Sequence, residues 1–172
     1  MIEILRKRRS IRRFEDKPIE PEKIELLKEA VLRSPSSRNF EPWEFIFVDN
    51  RELLKKLSKS KPHGAAFLKE AALGIVVCAD ERKSDVWVED CSIASILAQL
   101  TAQSLGLGSC WIQLRKRYYE EGTSSEDYIH SVLAIPDNIR VLSIIAVGYP
   151  AEQPEPILRS DLKNNKIHSN HW

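Results

Sequence analysis

Cysteine is scarce and unpatterned: Cys78, Cys91 and Cys110 are the only three in 172 residues. No CxxC pair exists and the number is odd, so neither a structural zinc site nor a disulfide framework is indicated. Long apolar runs are missing as well. The longest uninterrupted one, near Leu73 to Ala79, falls far short of the ~20 residues a membrane helix needs. The opening MIEILRKRRS has too short an apolar run, and charges on the wrong side, for a secretory signal. Excess charge of one sign is absent too. Lys+Arg 26 against Asp+Glu 25 leaves +1, which argues against a dedicated nucleic-acid binder. These absences predict a soluble chain in a reducing, cytoplasmic setting, with neither membrane nor nucleic acid among its partners.

What is present fits a globular protein. Hydrophobic residues at 42% and charged residues at 30% exclude disorder and fibrous repeats. The length suits one domain over residues 1–172, able to bury roughly two-thirds of its unfolded surface without staples. Residues 1–13 carry a local imbalance, six bases against Glu3. A short helix over Ile2 to Lys7 runs into that basic stretch. Pro21 suits a first helical turn, and Ile24, Leu27, Val31 and Leu32 form a stripe at helical spacing up to Ser34-Pro35. Trp43 to Asp49 alternates and is aromatic and β-branched, a strand pattern. Arg51 to Ser58 reads as a charged helix with Leu53, Leu54 and Leu57 inward, and Leu73 to Ala79 as a strand buried on both faces.

Val86 to Leu105 is the longest helical pattern, apolar nearly all round, with Gly106 as its C-terminal glycine. Strands follow at Ser109 to Leu114 and Arg140 to Val147, separated by a helix over Ser124 to Leu133. From Pro150 to Trp172 the chain reads as an extended arm. Strict βαβ alternation is lacking, so the expected class is α+β, a small central mixed sheet flanked by helices. Ordering so apolar-poor an arm alone is costly, and laying it across a second copy relieves that cost; a homodimer is expected.

Two strings could carry chemistry. In Arg8 to Phe14, RRSIRRF, guanidinium forks and a hydroxyl stand close enough to converge on a phosphate. A solvated basic face, or a nucleic-acid contact, would use the same residues. Ser34 to Trp43 combines two prolines with small hydroxyls and an amide, which suits a polar heterocycle, although an ordinary helix-to-strand loop has the same composition. GLGSCW at Gly106 to Trp111 is no dinucleotide fingerprint, since Trp111 stands where the third glycine belongs and a helix precedes it. The four histidines lack metal-ligand spacing, Cys110 has no local His or acid partner, and no serine lies in a GxSxG context.

Taken in order, the strings resemble the FMN-dependent nitroreductase family, in its short form, over nearly the whole chain. The resemblance rests on RRSIRRF and SPSSRNFEPWEF, supported by the helix centred on Asp90 that ends in GLGSCWI, by VGYP at Val147 to Pro150, and by a tail with Arg159. It implies an α+β homodimer with FMN at the subunit interface. NADH or NADPH would reduce the flavin, and a nitroaromatic, quinone or similar acceptor would reoxidise it by a ping-pong route. By position, Arg8, Arg9, Ser10 and Arg12 would hold the phosphate and ribityl chain, with Arg159 adding a phosphate contact. Pro35, Ser36, Ser37 and Asn39 of the other subunit would line the isoalloxazine. The segment Cys110, Trp111, Ile112 and Gln113 would pass the reactive edge and offer a backbone N–H there. The chemistry belongs to the cofactor, so no catalytic side chain and no metal are expected. Gln113 departs from the usual glycine or acid, and PEPILRSDL replaces a basic Pro-rich run. A flavin-storing or sensing module, or a flavin-destroying or dehalogenating relative, would share these features.

Overall fold

In the computed structural model, which describes residues 1–172, the chain forms five α-helices and six strands. The order is α1 (Ile2–Lys7), α2 (Pro21–Leu32), β1 (Trp43–Val48), α3 (Arg51–Leu57), β2 (Leu73–Asp80), α4 (Trp87–Ser104), β3 (Gly108–Gln113), β4 (Tyr118–Glu120), β5 (Thr123–Ser124), α5 (Ser125–Leu133) and β6 (Ile139–Gly148). Strands β1, β2, β6 and β3 make one sheet in that order. Every strand pair in it is antiparallel, which corrects the expected mixed sheet. Helix α4 looks like a parallel crossover, and β2 and β3 do run parallel. They never pair, because β6 later fills the slot between them. The one parallel contact is an isolated bridge between Ser10 and Ser109.

The central strands are buried end to end, as a sheet covered on both faces requires: all of LGIVVCAD in β2 and the last eight residues of β6. On one face α2 and α4 close a core of Leu27, Val31, Ile75, Cys91, Ala98 and Ile145. On the other, α3 and α5 close a core of Leu54, Leu57, Val76, Ile129 and Ile144. The stripe of α2 is narrower than its spacing suggested. Leu27 and Val31 are buried, but Leu32 is 59% exposed beyond the edge of the sheet. Helix α5 starts where the sequence placed it because Ser124 accepts from the Asp127 N–H while Asp127 reaches back to Ser124, a reciprocal capping box. The β4–β5 hairpin, turning at Gly122 with φ +81°, had no expectation behind it.

Helix α4 ends at Ser104, Leu105 caps it, and Gly106 follows in the left-handed region at φ +76°, as a helix-terminating glycine should. Midway along α4, Ile93 and Ile96 remain 39% and 37% exposed, one helical turn apart. Beyond Pro154 the arm lies on the surface with only two 3-10 turns, and Ile157, Leu158, Ile167 and Trp172 are open to solvent. No helix is long and apolar enough to cross a membrane.

Candidate functional site

The arginine string owes its course to two apolar anchors. Helix α1 ends at Lys7 and Arg8 leaves it in an extended conformation. Ile11 then donates its N–H to the Ser109 carbonyl (3.0 Å) and packs buried beside Gly108. Phe14 packs buried beside Gly148, and the adjoining Glu15 donates its N–H to the Tyr149 carbonyl (2.9 Å). With Ile11 and Phe14 turned inward, Arg8, Arg9, Arg12 and Arg13 are left toward solvent. Glu152, at the root of the arm, fixes the course from the other side by accepting the N–H groups of Arg12 and Arg13.

An open groove of about 1050 Å³ runs between α1, this string and the arm, lined by Arg8, Arg9, Ser10, Arg12 and Arg159 among others. Five of the residues expected around a phosphate therefore meet in one place within a single chain. None of these four arginines has a carboxylate at ion-pairing distance. Four guanidinium groups around one groove, against the single carboxylate of Glu152 that is held by backbone N–H groups, suit a dianion.

Strand β3 is an edge of the sheet, and the string that walls the groove runs beside its start, where Ser10 bridges to Ser109. Because the Ser109 carbonyl turns outward to Ile11 and the Leu114 N–H turns inward to Leu142, the alternation of a strand fixes the rest. Trp111 and Gln113 direct their N–H groups to the free edge, while Cys110 and Ile112 direct theirs to β6. The side chains of Cys110 and Ile112 are buried, so Ile112 offers the edge neither side chain nor amide. The Gln113 carboxamide is clipped at both ends, accepting from Trp111 Nε1 (2.9 Å) and donating to the Arg115 carbonyl (2.9 Å). Burial pushes the Cys110 thiol up, against the pull of Arg12, Ser10, Lys61 and Arg8 around it.

Lys61, which the sequence did not single out, lies near Cys110 without lining the groove. It is half-buried in the loop after α3, and burial first, then the nearby Arg117, lowers its pKa. Nothing in KSKPHG marks it, since its neighbours Cys110 and Arg117 lie far along the chain.

The remaining expected residues stand elsewhere. Pro35, Ser36, Ser37 and Asn39 are on the loop between α2 and β1 and do not line the groove. The loop is tied to the first turn of α4 through the Ser37 N–H, which donates to Asp90 Oδ1 (2.8 Å). The arginine string packs instead beside Gly108, just past the other end of that helix. Eighteen residues of helix separate the two by about 27 Å. No group of three or more His, Cys, Asp or Glu side chains is placed to hold a metal.

Comparison with known proteins bears on this arrangement. The nitroreductase family matches residues 5–62 and 59–149. A solved structure of an FMN-dependent nitroreductase from Clostridium difficile superposes with a TM-score of 0.98 at 45% identity, covering all of both chains. A protein of Archaeoglobus fulgidus, whose name pairs NADH dehydrogenase with NAD(P)H nitroreductase, is 39% identical over 96% of this chain and 94% of its own. An NADPH:FMN oxidoreductase from Vibrio harveyi, solved with NAD+, gives a TM-score of 0.84 at 25% identity over 99% of this chain and 77% of that one. With matches of this extent, the chain belongs to the nitroreductase family.

Proposed function

We propose that this protein is an NAD(P)H-dependent oxidoreductase that holds FMN between two copies of the chain and reduces a nitroaromatic, quinone or similar small acceptor. The observation that carries the reading is the meeting of four arginines without ion-pair partners in one groove, walled by a string that pairs with the start of edge strand β3. Arg8, Arg9, Arg12 and Arg159 would grip the phosphate, and Ser10 would add a hydroxyl. When bound, FMN supplies the redox chemistry, taking hydride from the reduced nicotinamide and giving electrons to the acceptor.

The chain's own part is to orient and to polarise. The N–H of Trp111 or Gln113, on the free edge of β3, would serve the reactive edge of the ring, and the positive charges of Arg12 and Lys61, both near Cys110, would favour an anion there. Ser36, Ser37, Asn39 and Pro35 would line the ring from the second copy. Their distance from the groove of their own chain supports that division, and so do the exposed Ile93 and Ile96, which suit burial against another protomer. The arm would lie across that partner. Donor and acceptor would then visit the same open face in turn, giving ping-pong kinetics.

Anaerobic addition of NADH or NADPH to purified, FMN-loaded protein tests the reading. Bleaching of the flavin bands within seconds is expected, with recovery on adding a quinone. A protein that binds FMN without being bleached by either nucleotide would be a storage or sensing module instead.

A further inference from the structure

We propose that Asp90 is a positioning residue: it holds the Ser36–Glu41 loop in a left-handed shape and so sets how tightly the neighbouring copy's FMN is gripped. The inference rests on the reading above for the role of the loop, and on separate geometry for the clamp.

Three of the four residues from Arg38 to Glu41 are left-handed, Arg38 at φ 51°, Asn39 at φ 57° and Glu41 at φ 47°. None is glycine, so each works against its own Cβ. Bonds inside the loop close its turns. Asn39 N–H donates to the Ser36 carbonyl, Phe40 N–H to the Ser37 carbonyl, and Glu41 N–H to Ser36 Oγ (2.9 Å). A loop of this kind persists only when its surroundings over-determine it. Its side-chain tie to the body is Asp90, in the first turn of α4, which takes the Ser37 N–H.

Asp90 is itself 2% exposed and has no cation at ion-pairing distance. Its second oxygen accepts from Ser84 Oγ (3.0 Å), and Ser84 Oγ in turn accepts the Val86 N–H (3.3 Å). A buried, unpaired carboxylate is an expensive way to pack a helix, and an apolar residue would fill the space more cheaply. What the carboxylate adds is an oriented pair of acceptors, one anchored by Ser84 and the other aimed at Ser37. Through Ser37 it fixes the adjacent Ser36, whose carbonyl in turn takes the Asn39 N–H.

The test uses full-length protein with two readouts. Tryptic cleavage after Arg38, followed by the mass of the fragment beginning at Asn39, reports the loop without reference to FMN. FMN titration reports the site. Asp90→Asn is expected to speed that cleavage at least tenfold and to weaken FMN binding at least tenfold, with an unchanged far-UV spectrum. Relief of strain at a residue outside the site should compensate. Glu41→Gly, placed in the Asp90→Asn background, is expected to restore most of the FMN affinity, a rescue that general damage to α4 would not show. Should Asp90→Asn not fold, Ser84→Ala gives the same signs at smaller size, with the same rescue. Wild-type protein that fails to bind FMN would sink the functional reading while the cleavage rates still decide the clamp. Unchanged cleavage, unchanged FMN affinity, or no rescue by Glu41→Gly would overturn the role given to Asp90.

Discussion

Gly108→Ala places a single methyl group at the joint between the sheet and the arginine string. A Cβ there would lie 2.8 Å from both Cβ and Cγ1 of Ile11, at least 0.6 Å inside the 3.4 Å where ordinary contact begins. Ile11 cannot swing its Cβ away by a rotamer change, and its N–H is bonded to Ser109. The backbone of the string must move, carrying Ser10 and Arg12 with it. Overpacking of this kind costs about 1–3 kcal/mol of stability. If displacement breaks even one charge-assisted phosphate contact, worth ~1.5–3 kcal/mol, FMN affinity falls about tenfold or more.

Gly106→Ala is the matched control. A methyl group at that position would meet nothing within 4 Å, and only the backbone at φ +76° resists, at about 1–2 kcal/mol. Urea unfolding and FMN titration of both variants separate the two effects. Both are expected to lose stability, and only Gly108→Ala to lose FMN. If Gly108→Ala binds FMN as wild type does, the packing of Ile11 does not set the string and the reasoning is wrong.

Three further outcomes follow from the same geometry. Arg8→Ala combined with Arg12→Ala is expected to lower FMN affinity by more than tenfold, at ~1.5–3 kcal/mol per contact, in a fluorescence-quenching titration. The thiols are expected to be inert: burial pushes Cys78 up to about 12 and raises Cys91 and Cys110, so a disulfide reagent at pH 8 should label none in the native protein and three after unfolding. Glu20 is held down to about 2, chiefly by the Tyr149 hydroxyl that donates to it, then by its own backbone N–H and by Lys23. A lowered carboxylate pKa adds stability above its ordinary value of 4.5 and loses it as pH falls through about 2. Tyr149→Phe should therefore be less stable than wild type at neutral pH, with the gap closing between pH 4.5 and 2 in acid unfolding followed by circular dichroism.

Local order was open to reading because its causes are local. Helical spacing in α2, β-branched alternation in β1 and the glycine at 106 each act within a few residues, and those elements stand where they were expected. Strand order was not readable: the slot between β2 and β3 is filled by β6, a strand that follows some 25 residues after β3. The site divides in the same way. The RRSIRRF string is contiguous and announces itself, whereas Glu152 and Asp90 join the groove and the loop across 140 and 53 residues of chain. The left-handed backbone at Arg38, Asn39 and Glu41 carried no signal, since no glycine marks it.

The central claim is that each FMN site is built from the arginine string of one chain and the Ser36–Asn39 loop of another, and mixing two crippled proteins tests it most directly. One carries Arg8→Ala and Arg12→Ala, the other Ser36→Ala and Asn39→Ala, and each alone should bind FMN poorly. Unfolded together and refolded as a mixture, they should form hybrids in which one of the two sites has both halves intact, regaining up to one tightly bound FMN per hybrid dimer. A mixture that binds no more FMN than its separate components would contradict the shared site.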